Sequence, residues 1–568
     1  MGTRERHRQL ALALFRSTAT VLQNQDLAPD LLGKILGPRI TSTSANAAAV
    51  SKTWRQVVDA QGVDRYCTKR QSVEDFYFSS LYTPHRVHMT LSNCITNQYH
   101  VGILVSWIYQ SKSLVSLDLS TNNMNRHMTV LMRALARSKL HTLNLHDCQI
   151  KPDGAKALAD ALRDNVVLKK ILLTANMIKD KGAIALGGAL KNNKTLKELE
   201  LKFCDIGPEG GKALASALSE GSAGRSERVL ESNMTKDEGA IALGEALKSN
   251  KTLEELDLFK CSIGAEGAKA LASALSEGSA VLTSLNLEMN HVGPEGAKAL
   301  AAALRVNRVL LTNLNIKDNA LGGVSMWHPG EGTYDPSGIE ALASALAGNS
   351  VLTNLSVAHN PMNGEGAQQL AAAALGSKSL EVLSQVPIKE LRADTLTEVN
   401  LTIKGLGPTE GIVLAELIKG SRKLNKLNLS GNMFGDEGAI ALCEALKSNK
   451  TLKELQLRSC DIGAEGGKAL ASALSVNRVL TTLDLSGNRL EAEGAKALAR
   501  ALSVNRVLTS LELYNNVVGP EGAKALADAL RVNAVLTKLT VFFNNIGDEG
   551  EKALRDAAKG REGFELII

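Results

Sequence analysis

The chain has few aromatic residues, 3% of 568, and its 12 prolines and seven cysteines are thinly spread. A single large core built around bulky rings is therefore not its plan. No apolar run approaches the roughly 20 residues needed to cross a bilayer, and a membrane partner is not expected. The opening Met1-Gly-Thr-Arg-Glu-Arg-His-Arg8 leads into only a short apolar stretch, with no small-residue cleavage site after it, so no secretory signal is expected. Gly2 is not followed by the Ser or Thr that myristoylation wants, since Arg6 stands there. Charge of one sign is also scarce: 65 basic against 59 acidic residues give +6, too little for this length to argue for nucleic acid. A cytosolic or nuclear protein is the expectation.

Leucine, alanine and glycine are abundant, and they are periodic. Leu480-Thr-Thr-Leu-Asp-Leu-Ser-Gly-Asn488-Arg-Leu490 is followed by an alanine-rich stretch to Leu502, and the pattern restarts at Leu508, with earlier copies at Leu452 and Leu424. Further starts fall at Leu114, Leu140, Leu168, Leu196, Leu253, Leu282, Leu311, Leu352 and Leu536, and a degenerate first copy occupies about 86–113. A fixed period of this length is the mark of a solenoid. In Leu-x-Leu the alternation puts both leucines on one face of a strand. The Gly-Pro-Glu-Gly-Ala-Lys-Ala-Leu segments behind it read as helices, with proline near the first turn, where it sacrifices no hydrogen bond. Wide helices against narrow strands predict an α/β horseshoe with a concave parallel sheet, preceded by a small all-α segment.

Two copies are damaged. In one, Arg225 and Arg228 stand where leucine is usual; in the other, 380–406, an additional Leu380–Leu391 stretch intervenes. The divisions expected are a helix at 1–25, a helical segment at 26–85, a first repeat block at 86–379 and a second at 380–568.

The pattern L-x-x-L-x-L-x-x-[NC]-x-L with its alanine-rich helix resembles the ribonuclease-inhibitor-like class of leucine-rich repeats, also found in NLR-type receptors and RanGAP. Five cysteines (Cys94, Cys148, Cys204, Cys261, Cys460) fall at the Asn/Cys position, held elsewhere by Asn122, Asn176, Asn290, Asn319, Asn432, Asn488, Asn516 and Asn544. They read as reduced structural residues, without the Cys-x-x-Cys or histidine partners of a metal site. The Leu-Pro-type start at Leu27 and Pro29, the Leu31-Leu32-x-x-Ile35-Leu36 helix and the later segment with Val50 and Trp54 resemble an F-box over about 26–60, with Ala28 inserted and a polar Thr41–Ser44 linker. That resemblance implies a Skp-type adaptor bound by Leu27, Pro29, Leu31, Leu32, Ile35, Leu36, Val50 and Trp54. The repeats would then present a target to a cullin ubiquitin ligase.

No catalytic pattern is found. Gly207-Pro-Glu-Gly-Gly-Lys212 lacks phosphate-loop spacing and recurs as helix-start grammar. No cofactor, metal or enzymatic activity is expected. The alternatives to a ligase receptor are a plain repeat scaffold or NLR-like regulatory protein without a ligase link, or a RanGAP-like GTPase activator, for which the usual acidic tail is missing from this sequence.

Candidate contacts lie on the strands. The middle column of Leu-x-Leu includes Asp118, Glu200, Asp257, Asp484 and Glu512 and no Lys or Arg. With Glu198, Glu231, Glu255 and Glu288 flanking it, and Phe259 among them, it predicts an acidic face for a basic protein segment and speaks against nucleic acid. The insertion at 322–336 offers Trp327 and Tyr334, and the last strands offer Tyr514, Phe542 and Phe543, as an apolar contact or as a cap on the last strand.

Overall fold

A computed structural model describes residues 88–568 apart from positions 94, 96–99, 103, 106–107, 109–113, 137, 221–226, 278–280, 307–309, 326–331 and 363. The helix expected before residue 26 and the F-box-like segment, with Leu27, Pro29, Leu31, Leu32, Ile35, Leu36, Val50 and Trp54, lie outside the described residues, as do Cys94 and Trp327. The chain divides into two compact units, with the boundary after Cys261.

In the first unit seven three-residue strands alternate with helices: β1 (His88–Thr90), β2 (Ser116–Asp118), β3 (Thr142–Asn144), β4 (Lys170–Leu172), β5 (Glu198–Glu200), β6 (Glu227–Val229) and β7 (Glu255–Asp257). All pair parallel in chain order, with Met89, Leu117, Leu143, Ile171, Leu199, Arg228 and Leu256 in one register row. The unit that carries Arg228 therefore keeps its strand. Parallel neighbours require a crossover, and a helix of about a dozen residues supplies it. The helix Pro152–Asp164 buries Ala155, Leu158, Ala159 and Leu162, the i, i+3, i+4, i+7 stripe of a one-sided helix. Its small alanines let the backbone lie close to the strands. Pro152, Pro208 and Pro408 open their helices, while Pro294 and Pro520 stand second, after a glycine.

The second unit repeats the plan but interrupts it. Strands β8 (Ser284–Asn286), β9 (Asn313–Asn315) and β10 (Asn354–Ser356) pair parallel, as β10 does with β11 (Val382–Leu383). Then β12 (Val386–Pro387) turns back antiparallel on β11. The turn residues Ser384 and Gln385 both have positive φ, 47° and 73°, the demand of a two-residue hairpin. A five-residue helix, Ile388–Arg392, follows in place of a full crossover. Pairing resumes with β13 (Glu398–Asn400) and runs in order through β14 (Lys426–Asn428), β15 (Glu454–Gln456), β16 (Thr482–Asp484), β17 (Ser510–Glu512) and β18 (Lys538–Thr540) to β19 (Glu565–Ile567). Across the interruption, Val357 N–H donates to Ser384 Oγ (3.0 Å) and His359 N–H to the Gly405 carbonyl (3.1 Å). The additional Leu380–Leu391 stretch thus folds as a hairpin and stub helix that ends one sheet.

The interruption also changes a side chain. Gly210, Gly438, Gly466 and Gly494 are buried in the first turns of their helices, and Glu410 occupies the corresponding place in the helix Pro408–Lys419. Its carboxyl is fully buried, with one oxygen accepting the Gly407 N–H at 2.9 Å and the other without a hydrogen-bond partner. Burial raises its pKa, against the opposing hydrogen bond from Gly407.

Two rows of asparagines tie successive units together. Asn176, at the end of a strand turn, donates to the carbonyls of Leu145 and Leu173 and accepts the N–H groups of Cys148 and Ile150. Asn233 and Asn360 do the same work in units whose sequence is less regular. The second row stands at the other end of each helix. Asn477 donates to the Leu446 carbonyl and accepts from Val479 and Leu480 N–H, and Asn165, Asn193, Asn505 and Asn533 repeat that pattern. Buried loop backbone must find partners, and a single carboxamide offers both donor and acceptor.

Where cysteine takes the first row, its thiol donates to the preceding strand: Cys204 Sγ reaches the Leu173 carbonyl at 3.2 Å and Cys460 Sγ the Leu429 carbonyl at 3.2 Å. Burial pushes the thiols of Cys148, Cys204, Cys261 and Cys460 up to about 12. Because the thiolate is the reactive form, these cysteines will stay unmodified by iodoacetamide at pH 8 in the native chain and react in urea. Peptide mass spectrometry reads the result. Labelling of Cys204 at native conditions would mean that its ladder opens.

Candidate functional site

In Ser116–Asp118, Glu198–Glu200 and Thr482–Asp484 the central residue is buried and the first and third are half-exposed. The exposed face over β5–β7 carries Glu198, Glu200, Glu231, Glu255 and Asp257, as the alternation predicts. These carboxylates are not all alone. Glu198 pairs with Lys170 (2.5 Å) and Glu231 with Lys202 (2.6 Å), cations one strand back in the same columns. Glu200 accepts the Thr174 hydroxyl, and Asp257 accepts the Phe259 N–H at 3.0 Å. The middle-column reading, which counted acids without lysines, missed these cross-strand cations because they sit in flanking columns.

The face remains acidic around Lys202. Burial works against its ammonium, but the hydrogen bond to Glu231 and the charges of Glu231, Glu200 and Asp257 outweigh it and raise its pKa. Glu231 holds that lysine directly, Glu200 and Asp257 act on it through their charge alone, and Glu255 on β7 is exposed. Two aromatic residues stand on the turns of these strands: the Phe203 N–H donates to the Glu231 carbonyl, and the Phe259 N–H to Asp257. Phe259 is half-buried and Phe203 is 52% exposed.

Phe203 was not singled out by sequence, and its backbone is informative. It has φ 51°, at a turn position that is left-handed throughout the array, whether glycine (Gly431, Gly487) or another residue (Ala175, Lys260, Met289) stands there. A bulky residue in the left-handed region costs on the order of 1–2 kcal/mol relative to glycine, and an exposed ring recovers little of that through burial. Ile403 (φ 53°, 78% exposed) and Phe543 (φ 58°, 64% exposed) occupy the same turn position. The signal available in the sequence was an apolar residue two positions past Leu-x-Leu.

In the second unit, Glu288 is paired with Lys317 (2.9 Å) and accepts the Asn315 amide. Tyr514, Phe542 and Phe543 form an aromatic cluster: the two phenylalanine centroids are 4.3 Å apart, and Tyr514 meets Phe543 edge-on at 5.6 Å. These are the three rings that the sequence singles out at the last strands. Tyr334 is half-buried, and a methyl built on Gly322 would fall 3.0 Å from its ring. This ring is packed down onto the unit. The neck of the insertion is closed by Gly323 and Gly332 (φ 78° and 90°), where a methyl on Gly332 would fall 2.2 Å from the Gly323 oxygen.

Among the described residues, no three His, Cys, Asp or Glu side chains gather as metal ligands, and no helix is long and apolar enough to cross a membrane. Ten segments match the family model described as Leucine Rich repeat: 138–159, 192–215, 249–272, 278–301, 348–371, 420–443, 448–471, 476–499, 504–527 and 532–554. No curated protein sequence matches the chain. Among solved structures, a chain titled Leiomodin-1 Actin-Binding Site 2 is similar at 21% identity and TM-score 0.23, over 30% of this chain and 86% of that one. The tropomodulin C-terminal domain of Caenorhabditis elegans is similar at 19% identity and TM-score 0.22, over 30% of this chain and 87% of its own.

Proposed function

We propose, on the premise that the chain is a leucine-rich-repeat protein, an α/β solenoid of stacked strand–helix units, that it is a non-catalytic interaction protein. Its face over β5–β7 receives a basic protein segment. The observation that carries this reading is the gathering of Glu200, Glu231, Glu255 and Asp257 on or just after three neighbouring strands, with exposed Phe203 and half-buried Phe259 on their turns. Carboxylates steer and register a cationic partner, and the rings give its aliphatic stems an apolar floor. A polyanion would meet repulsion here.

Fluorescence anisotropy with an arginine- and leucine-containing peptide at low salt tests this. Glu200→Gln, Glu255→Gln and Asp257→Asn together should weaken binding at least tenfold and flatten its salt dependence. Phe203→Ala should weaken it several-fold with the salt dependence kept. Unchanged affinity in both variants would remove the site.

A finer reading is supported by the F-box resemblance at 26–60: a substrate receptor that joins a Skp-type adaptor, and through it a cullin ubiquitin ligase, to the target on the strands. Leu31, Leu32, Ile35, Leu36 and Trp54 would be the adaptor contacts. Co-purification of the full chain with a Skp-type adaptor should succeed for wild type and fail for Leu32→Asp and Trp54→Ala. If wild type captures no adaptor, the ligase link falls and the interaction reading stands on its strand face alone.

A further inference from the structure

We infer that the β5–β7 face is covered within the same chain by the arginine-rich stretch Arg4–Arg16. The inference rests on the reading of that face as a seat for a basic segment, and it names a resident occupant.

Charge distribution is the first argument. Of the net +6, residues 1–87 contribute +5, with 12 basic and 7 acidic side chains, which leaves +1 for residues 88–568. The repeats are close to neutral as a whole, and the basic excess belongs to the segment before them. A charge asymmetry of this kind marks a basic segment with an acidic counterpart. Within it, Arg4, Arg6, Arg8 and Arg16 stand against a single Glu5 in the first sixteen residues. The face over β5–β7 offers the complement: Glu198, Glu200, Glu231, Glu255 and Asp257 lie on or just after three neighbouring strands, Glu198 and Glu231 paired with Lys170 and Lys202 and Glu255 exposed.

Order along the segment is the second argument. After the arginines come Leu10, Leu12, Leu14 and Phe15, so cationic and apolar side chains arrive together. The face presents both kinds of contact within three neighbouring strands, with Phe203 at 52% exposure beside the carboxylates. The Phe203 ring is left largely in solvent, and an apolar cover would bury it.

Reach is the third argument. β1 begins at His88 in the same unit, and β6 lies five strands along, about 24 Å at the ordinary spacing between paired strands. Residues 17–87 would span about 107 Å even if every one were helical, so the tether does not limit docking. Tethering makes the docking intramolecular, at an effective concentration set by the length and stiffness of the linker, and an outside basic partner would have to displace the resident segment.

The test uses the full chain and a fluorescent peptide that copies residues 2–16. Arg4→Gln, Arg6→Gln and Arg8→Gln in one variant should let that peptide bind about tenfold more tightly than it binds wild type. Adding Glu200→Gln and Asp257→Asn should abolish the gain. Equal affinity for wild type and the arginine variant would overturn self-occupancy while leaving the face as a basic-segment site. No binding to either would overturn the face reading as well. If wild type gains affinity on dilution, the occupant comes from a second copy and the intramolecular assignment fails.

Discussion

Replacing Asn488 by alanine will destabilise the second unit by about 3–5 kcal/mol, the range of a broken buried network. The side chain is 3% exposed and carries four short bonds: its amide donates to Leu457 and Leu485 carbonyls (both 2.8 Å), and its oxygen accepts Cys460 and Ile462 N–H (2.9 and 3.0 Å). Alanine leaves two donors and two acceptors from two successive units without partners, each worth about 1–3 kcal/mol where water cannot enter. Asn488→Cys should cost much less, because the chain already uses cysteine at this position. Cys460 donates its thiol to the Leu429 carbonyl, and its sulfur takes backbone hydrogen bonds from Asn432 and Gly431. Urea unfolding of the three proteins should therefore rank wild type, then cysteine, then alanine. Because each unit touches mainly its neighbours, hydrogen exchange should show loss of protection concentrated over β15–β17. Alanine equal to cysteine would mean that the carboxamide oxygen does not matter.

The same residue shows how far the sequence could be read. The period, the strand direction and the burial of each Leu-x-Leu pair were legible because they depend on local alternation repeated many times. The first asparagine row was legible in part: Asn233 and Asn360 escaped because their units depart from the leucine pattern, although their hydrogen bonds are the same. The second row, with Asn477 and Asn505, went unread for a different reason. It sits between helix and strand, where asparagine looks like an ordinary turn residue, and only the structure reveals a carbonyl of the preceding unit as its partner. Electrostatics were less legible still. Listing one column gave Glu200 and Asp257, but Lys170 and Lys202 neutralise Glu198 and Glu231 from positions 28 or 29 residues earlier, so the effective charge depends on cross-strand register. Phe203 was hidden because its meaning lies in a backbone angle and not in a motif.

The hairpin that interrupts the second unit gives the other large effect. Gly405→Ala should destabilise that unit by about 2–4 kcal/mol, combining left-handed strain with overpacking. At φ 70°, a methyl on Gly405 would fall 1.6 Å from both Cδ2 and Nε2 of His359, so the ring has to leave its place. The ring lies there because the regular strand is missing: His359 N–H bonds directly to the Gly405 carbonyl at 3.1 Å, across the gap that Val382–Pro387 does not fill. Other units accept a side chain at the corresponding turn, as with Asp205 (φ 57°) and Asp461 (φ 56°), so φ alone is the smaller part of the cost. His359→Ala should on that account rescue Gly405→Ala by more than half when the two are combined, while costing little alone at a half-buried site. A double-mutant cycle by urea unfolding measures the coupling. If the two losses simply add, the ring is not the obstacle and the strain resides in the Gly405 backbone.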